Sequence, residues 1–389
     1  MNVNMTPPKN FGETLLEHGG EISSKLNMLR KERFPPNAQK TIREFSLAEA
    51  AEFIGVSDSY LRKLHLAGKS VDPTTVNQLG RRYYSISRIN ELREQLGRLP
   101  HRKDHEKLQI ISVVNFKGGS GKTTSAAHLA QYFGLRGYRT LAIDLDPQAS
   151  LTTLFGIQPE LDGKPSLYET LRYDDERRAI SETIQRTNIP NLDIIPANLE
   201  LQEYEYETPL SMQHGSKEGR QFHTRITNAL KEVDILYDVV IIDCPPQLGY
   251  LTLTALGAST AVLITIHPQM LDVMSMSQFQ LMLGGTLQTL DEAGIEIGLD
   301  WFRYMVTRYE PMDIPQQQMV GFLQSMFAEH LLKKPMLKST AISDAGISKQ
   351  TLYEVERSNM IRSTYDRARE SLDAVNGEVL DLVQQVWGR

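Results

Sequence analysis

The sequence predicts a three-layer α/β fold around a mostly parallel sheet, preceded by a smaller helical module. Three observations carry this expectation. Short β-branched runs recur at 110–114, 139–144 and 238–243, each leading into a glycine- or aspartate-bearing turn. Helical patterns lie between these runs, and strands alternating with helices give parallel sheets with crossover helices. Residues 45–96 instead read as two short capped helices followed by a basic aromatic hairpin, and the polar, proline-marked stretch 99–106 follows. The expected division is an N-terminal arm at 1–40, a helix-turn-helix module at 41–105 and the α/β part at 108–389, which fits the usual size of domains for 389 residues.

The stretch LQIISVVNFKGGSGKTT, beginning at Leu108, organises the α/β part. Ile110, Ile111, Val113 and Val114 read as a buried strand, and Gly118, Gly119 and Gly121 form a turn that only small residues make closely around a phosphate. Ser120 and Thr124 complete the loop, while Lys122 and Thr123 open a helix. In the Walker A pattern the lysine meets the phosphates and the next hydroxyl meets magnesium. The position of the first glycine of that pattern is held by Phe116, so the spacing departs while the backbone N–H cradle is kept.

Two further strands complete a constellation. RTLAID exits at Asp144 and Asp146, at the carboxyl end of a parallel strand, where open α/β sheets bind ligands. YDVVIIDCPP delivers Asp243 in the Walker B manner, placing a carboxylate on the magnesium side through a coordinated water, and Pro245 and Pro246 stiffen the exit. Three such exits in alternating order converge on one end of the sheet.

The rest of the α/β part is plainer. Residues 192–196 and 261–266 read as strands, 301–307 as another, and a Met- and Leu-rich helix spans about 271–290. The segment from Glu203 to Gly219 has no clear period and predicts a surface loop carrying Tyr204 and Tyr206. A last helix turns Leu372, Val375, Val379, Leu382, Val383 and Val386 inward.

Composition narrows the function classes. Residues 1–108 hold 18 Lys/Arg against 13 Asp/Glu, and the remainder 24 against 35, so a mildly basic front precedes an acidic body. That asymmetry suits a local nucleic-acid surface, and charge alone equally describes an ordinary solvated face. The single cysteine, Cys244, excludes an internal disulfide framework and reads as a buried small hydrophobe. Without an apolar run of about 18 residues or a signal-peptide pattern, a cytoplasmic protein with no membrane partner is expected.

In the front module, Ser46 and Glu49 form a reciprocal cap for a helix burying Leu47, Ala50, Ala51 and Ile54, which Gly55 ends. Ser57 caps the second helix. Leu61 and Leu64 face inward there, leaving Ser59, Tyr60, Arg62 and Lys63 as candidates for DNA contact. Arg81 and Arg82 belong to the basic hairpin with Tyr83 and Tyr84, and Ile89, Leu92 and Leu96 recur on one helical face after it. Before the module, Leu15, Leu16, Ile22, Leu26 and Leu29 give broken helical spacing between Pro7-Pro8 and Pro35-Pro36, with a helix expected through Leu26–Arg33.

The octet KGGSGKTT from Lys117 to Thr124 resembles the deviant Walker A motif of the ParA/MinD/Soj family of partition and positioning ATPases. The length and the added front module look most like the large plasmid ParA proteins, in particular the RepA partition proteins of repABC-type replicons. The resemblance implies a P-loop NTPase domain with an N-terminal winged helix-turn-helix of MerR-like type, binding ATP/ADP and Mg2+ and slowly hydrolysing ATP. It implies that Lys117 reaches across a nucleotide-sandwiched homodimer and that Asp146 orients water, with Asp144 behind it near the magnesium shell. Thr307 and Arg308 occupy the place where the family contacts adenine, although its usual asparagine is absent. The basic stretch 333–369, including Lys338, Lys349 and Arg362, corresponds to the region that binds DNA without sequence preference; Lys349 leads. A centromere-binding ParB/RepB-type partner, operator binding, autorepression and nucleoid association when ATP-bound follow from the same likeness. The alternative is a nucleotide-sensing repressor in which hydrolysis is incidental. A membrane-positioning ATPase is disfavoured because the final helix lacks a basic amphipathic face.

Overall fold

A computed structural model describes residues 10–33, 40–158 and 163–389. Pro7-Pro8 and Pro35-Pro36 lie outside the described residues. Two compact units are present, 1–40 and 41–389. In the first, helix α1 spans Phe11–Arg33, starting well before the expected Leu26, and Leu15, Leu16 and Ile22 are exposed on it.

The second unit opens with a three-stranded antiparallel sheet in the order β1-β3-β2, formed by β1 (Phe45–Ser46), β2 (Thr75–Val76) and β3 (Arg82–Tyr84). Helices α2 (Leu47–Ile54), α3 (Asp58–Leu66) and α4 (Ile86–Gln95) pack around it. The local chemistry explains each boundary. Ser46 and Glu49 form a complete capping box, Gly55 closes α2 at φ 75°, and Ser57 and Ser85 cap α3 and α4. Phe45, Tyr84, Ile86, Ile89 and Leu92 are buried together.

The large sheet has the order β10-β9-β4-β8-β5-β7-β6. Its strands are β4 (Gln109–Val114), β5 (Thr140–Asp144), β6 (Gln185–Arg186), β7 (Leu192–Ile195), β8 (Val239–Asp243), β9 (Ala261–Ile266) and β10 (Trp301–Val306). Every described pairing is parallel except β6 with β7. Buried strands β4, β5, β8 and β9 are apolar almost throughout, as a sheet covered on both faces requires.

One face is covered by α5 (Lys122–Leu135) and α16 (Arg362–Val386), with α6 (Ser150–Leu154) beside α5. Between α6 and the next covering elements come α7 (Leu167–Leu171), α8 (Ile180–Thr183), α9 (Glu203–Gln213), α10 (Lys217–Arg220) and α11 (Arg225–Leu230). Helices α12 (Tyr250–Ala258), α13 (Met270–Glu292) and α14 (Ile314–Phe327) cover the opposite face, and α15 (Thr340–Ile347) precedes α16.

The expected loop from Glu203 to Gly219 is largely helical. Tyr204 is fully buried, stacks on Tyr173 and bonds Thr254. The Glu205 carboxylate accepts from the Tyr250 and Leu251 amides, capping α12. These tertiary contacts outweigh Pro209 inside the helix and the absence of an amphipathic period. Tyr206 is exposed, as the loop expectation had it.

The stretch between the small sheet and β4 is pinned rather than slack. Arg102 bonds Tyr237 O and Asp234, Glu106 pairs with Arg389, and Trp387 Nε1 donates to Lys107 O. Within this same unit α4 meets the end of α5. The Arg93 guanidinium is buried and donates to Phe53 O, Leu135 O and Asn90. Its fit explains Gly137 (φ 93°), where a Cβ would lie 2.9 Å from Arg93.

Candidate nucleotide site

Strand β4 ends at Val114 and the chain turns into the glycine loop. Asn115 ties the turn down, donating from Nδ2 to Thr265 O and accepting the Lys117 amide. Gly119 and Gly121 adopt φ 75° and 88°, and a Cβ on Gly121 would crowd Thr307 at 3.3 Å. Ser120 is buried and accepts a hydrogen bond from Thr265. The Lys122 ammonium curls back over the loop to donate to Lys117 O at 3.1 Å. Burial lowers its pKa, against the raising effect of Asp243 and Asp146.

The aspartates occupy two levels. Asp144 and Asp243 stand opposite one another on neighbouring parallel strands, and Asp243 is also opposite Val113 of β4. Both are fully buried. Asp144 is committed to the start of α6, accepting from Thr152 N at 2.8 Å and Thr152 Oγ1 at 2.7 Å. Neither oxygen of Asp243 has a hydrogen-bond partner of good geometry, and the nearby Thr123 hydroxyl offsets only part of its burial. Burial pushes the pKa of both carboxyls up; as like charges, Asp144 and Asp146 raise Asp243 further, and Asp146 raises Asp144. An orphaned buried carboxylate beside Lys122 and Thr123 is what a bound divalent cation would satisfy, so the residues fit magnesium.

Asp146 lies higher, half-buried, with its carboxylate accepting from Gln148 N. It lines an open cavity of about 430 Å³ together with Gly118, Gly119, Gly121, Lys122, Thr123 and Thr124. Asp144 and Asp243, both fully buried, are not among the lining residues. Thr307 and Arg308 also line the cavity, and they brace the loop: Thr307 Oγ1 donates to Ser120 O and Arg308 to Gly119 O.

The far wall was not legible in the sequence. It comes from Met336, Leu337, Ser339, Ile342 and Ser343, brought there when the chain after β10 folds back along Val306 and Tyr309. No motif marks this segment; only its position after a strand exit could have drawn attention. Lys338 is part of the same wall and pairs with Glu310 at 2.8 Å.

Lys117 does not line the cavity. Its ammonium pairs with Asp272 of α13 at 2.5 Å, and Asp272 was not singled out by sequence, although it is the lone charge before Asp291 on that helix.

The candidate DNA residues fall into two groups. Ser59, Tyr60, Arg62 and Lys63 are exposed along α3, with Arg81 exposed and Arg82 half-buried on the hairpin. The C-terminal basic residues differ in their surroundings. Arg369 is buried against Asp373 and Arg357 is paired with Asp366, while Lys349 is half-buried at φ 53° and Arg362 is exposed at the start of α16. Among the described residues no group of three or more His, Cys, Asp and Glu could by itself hold a metal ion, and no helix is long and apolar enough to cross a membrane.

A mostly parallel sheet whose central strand feeds a glycine loop and helix, flanked by a strand ending in aspartate, defines a P-loop nucleotide-binding protein. The AAA domain family profile matches residues 108–293. The chain is 61% identical over 404 residues to a candidate replication protein A of Sinorhizobium fredii, covering all of this chain and 99% of that one. It is 28% identical to SopA of Escherichia coli K12 across 86% of this chain and 87% of that one. A structure described as a partition protein superposes with a TM-score of 0.67 over 96% of this chain and all of that one, at 20% identity. Cobyrinic acid a,c-diamide synthase from Mycobacterium smegmatis, with a bound ATP analogue and magnesium, covers 62% of this chain and 94% of its own at 26% identity and a TM-score of 0.50. The chain belongs to the ParA/MinD family of P-loop ATPases, whose nucleotide is ATP or ADP with Mg2+.

Proposed function

We propose that the protein is a plasmid-partition ATPase in which hydrolysis times binding to DNA, with a front module that recognises an operator and represses its own operon. The observation that carries the ATPase reading is the unpartnered, buried Asp243 carboxylate between the phosphate loop and Asp144. Asp243 acts through a coordinated water, and Thr123 through its hydroxyl, to hold magnesium, which when bound neutralises developing charge on the phosphates. Backbone amides of Gly118–Thr124 and the Lys122 ammonium grip the phosphates. Asp146, on the cavity wall, orients the attacking water. Thr307 and Arg308 hold the loop in shape from behind, and Lys117 serves the partner subunit's nucleotide in a homodimer.

Residues 41–105 act as a winged helix-turn-helix: Tyr60, Arg62, Lys63 and Ser59 read the groove while Arg81 and Arg82 hold phosphates. The α/β domain at 108–389, in its ATP-bound dimer, holds nucleoid DNA through Arg362 and Lys349 and responds to a centromere-binding partner of ParB/RepB type. Lys338, set in the nucleotide wall, is better placed to sense nucleotide than to hold bulk DNA. The protein works in the cytoplasm.

The deciding experiment is ATP turnover with and without arbitrary duplex and the centromere-binding partner, each with magnesium and with chelator. Magnesium-dependent turnover that rises when both are added supports the proposal. Turnover indifferent to both favours the repressor with incidental hydrolysis.

A further inference from the structure

We propose that Asp272 is the counter-ion that parks Lys117 inside its own subunit and must release it before Lys117 can serve a second one, so that Asp272 sets the threshold for assembly. This rests on reading Lys117 as acting in trans.

The geometry is specific. Lys117 Nζ lies 2.5 Å from Asp272 Oδ1, with the lysine side chain 40% exposed and the carboxylate only 11%. From Val273 to Leu290 the helix has no charged residue, so Asp272 is the one carboxylate it offers the lysine before Asp291, and exposed Met270, Leu271 and Met274 flank it. The Lys117 backbone is fixed at both ends: its amide donates to Asn115 and its carbonyl accepts from Lys122. Only the side chain is therefore left to change partners.

Release is made feasible by a second partner. Asp272 Oδ2 is 3.4 Å from His267 Nδ1 at the exit of β9, so the carboxylate is not orphaned when the ammonium leaves. A state in which Lys117 is held in cis is not competent for a trans contact. The apparent affinity of the subunits is reduced by the fraction so held.

The test uses full-length protein with a non-hydrolysable ATP analogue and magnesium, scoring the protein concentration at half-dimerisation by sedimentation, together with basal ATP turnover. Asp272→Asn should lower that concentration about 2- to 5-fold, the scale of a modest ion pair, and raise basal turnover. Asp272→Glu should restore the higher threshold. Unchanged or weaker dimerisation in Asp272→Asn overturns the proposal. Adding Lys117→Ala to Asp272→Asn should erase the gain; a gain that persists also overturns it. Lys117→Ala alone separates the two ideas: if it assembles and turns over normally, the trans reading itself fails, whereas a dead Lys117→Ala with an indifferent Asp272→Asn removes only the counter-ion. Should Asp272→Asn not fold, acylation of wild-type Lys117 followed by mass spectrometry decides: in nucleotide-free protein it should be slower than at exposed Lys334, and equal rates contradict the pairing.

Discussion

The proposed mechanism has Asp243 hold magnesium through water and Asp146 orient the attacking water, and single substitutions should separate the two. A carboxyl whose pKa is raised by folding binds its proton more tightly in the native state. The stability this brings is complete below the ordinary value of 3.8 and is lost as pH rises through the raised one. The contribution of Asp243 to the stability of nucleotide-free protein should therefore fall from about pH 4 toward alkaline pH, and Asp243→Asn should remove that fall while Asp144 keeps its own. Thermal unfolding at pH 8 without nucleotide should shift up by about 2–4 °C, with little gain at pH 4, while magnesium-dependent turnover disappears. A lower melting temperature at pH 8 would show the carboxylate to be satisfied in some other way. Asp146→Ala should keep ATP binding and lower turnover by roughly 100-fold or more, the range for a lost positioned group; unimpaired turnover would remove it from the chemistry. Among residues, those fixed by local rules were legible. Gly119 and Gly121 need left-handed backbone, and Asp144 and Asp243 end β-branched runs. Asp144's commitment to Thr152 and the Lys117–Asp272 pair were not legible, because both depend on which side chain arrives from another element.

At the level of elements, the joints around α5 and the connector before β4 are the parts that sequence patterns leave blank. Burial pulls the Arg93 guanidinium down to about 9, still charged at neutral pH, and its charge is spent on carbonyls at the ends of α2 and α5. Arg93→Leu leaves those carbonyls without a donor, at about 2–3 kcal/mol. The expected results are a lower melting temperature and faster proteolysis between 100 and 107; an unchanged cleavage rate would mean that α4 does not need this anchor. Glu106 behaves oppositely to Asp243. Its bond to Arg389 depresses its pKa to about 2, so the pair's contribution is present above 4.5 and fades as pH falls toward 2. Glu106→Gln should therefore melt earlier than wild type at pH 7 and converge with it near pH 2–3, and parallel curves at all pH values would contradict the pairing. Helix α9 shows why such elements escape a reading by period: its buried face is little more than Tyr204 and Thr208, and Glu205 is fixed by a helix more than forty residues away. By contrast, β4, β5 and β8 announce themselves because strands buried on both faces are uniformly apolar.

At the level of the whole molecule, the proposed function combines an operator-reading front with a nucleotide-governed body. Folding divides the basic segment 333–369: Arg369 is buried, Arg357 pairs with Asp366 and Lys338 lines the cavity, while Lys333, Lys334, Arg362 and Arg367 stay exposed. Recognition through α3 should carry sequence information, whereas Arg362 and Lys349 should meet only phosphate charge. Arg62→Ala should accordingly erase the preference for operator over scrambled duplex and retain ATP-dependent binding to the latter. Equal weakening on both duplexes would merge the two surfaces into one. The central claim, that hydrolysis times attachment to DNA, is tested most directly by the lifetime of the protein on arbitrary duplex after free ATP is replaced by ADP. Wild type should bind with ATP, bind weakly with ADP and leave after the exchange, while Asp146→Ala should bind with ATP and stay. Equal binding in the two nucleotides, or departure of Asp146→Ala as fast as wild type, would contradict it.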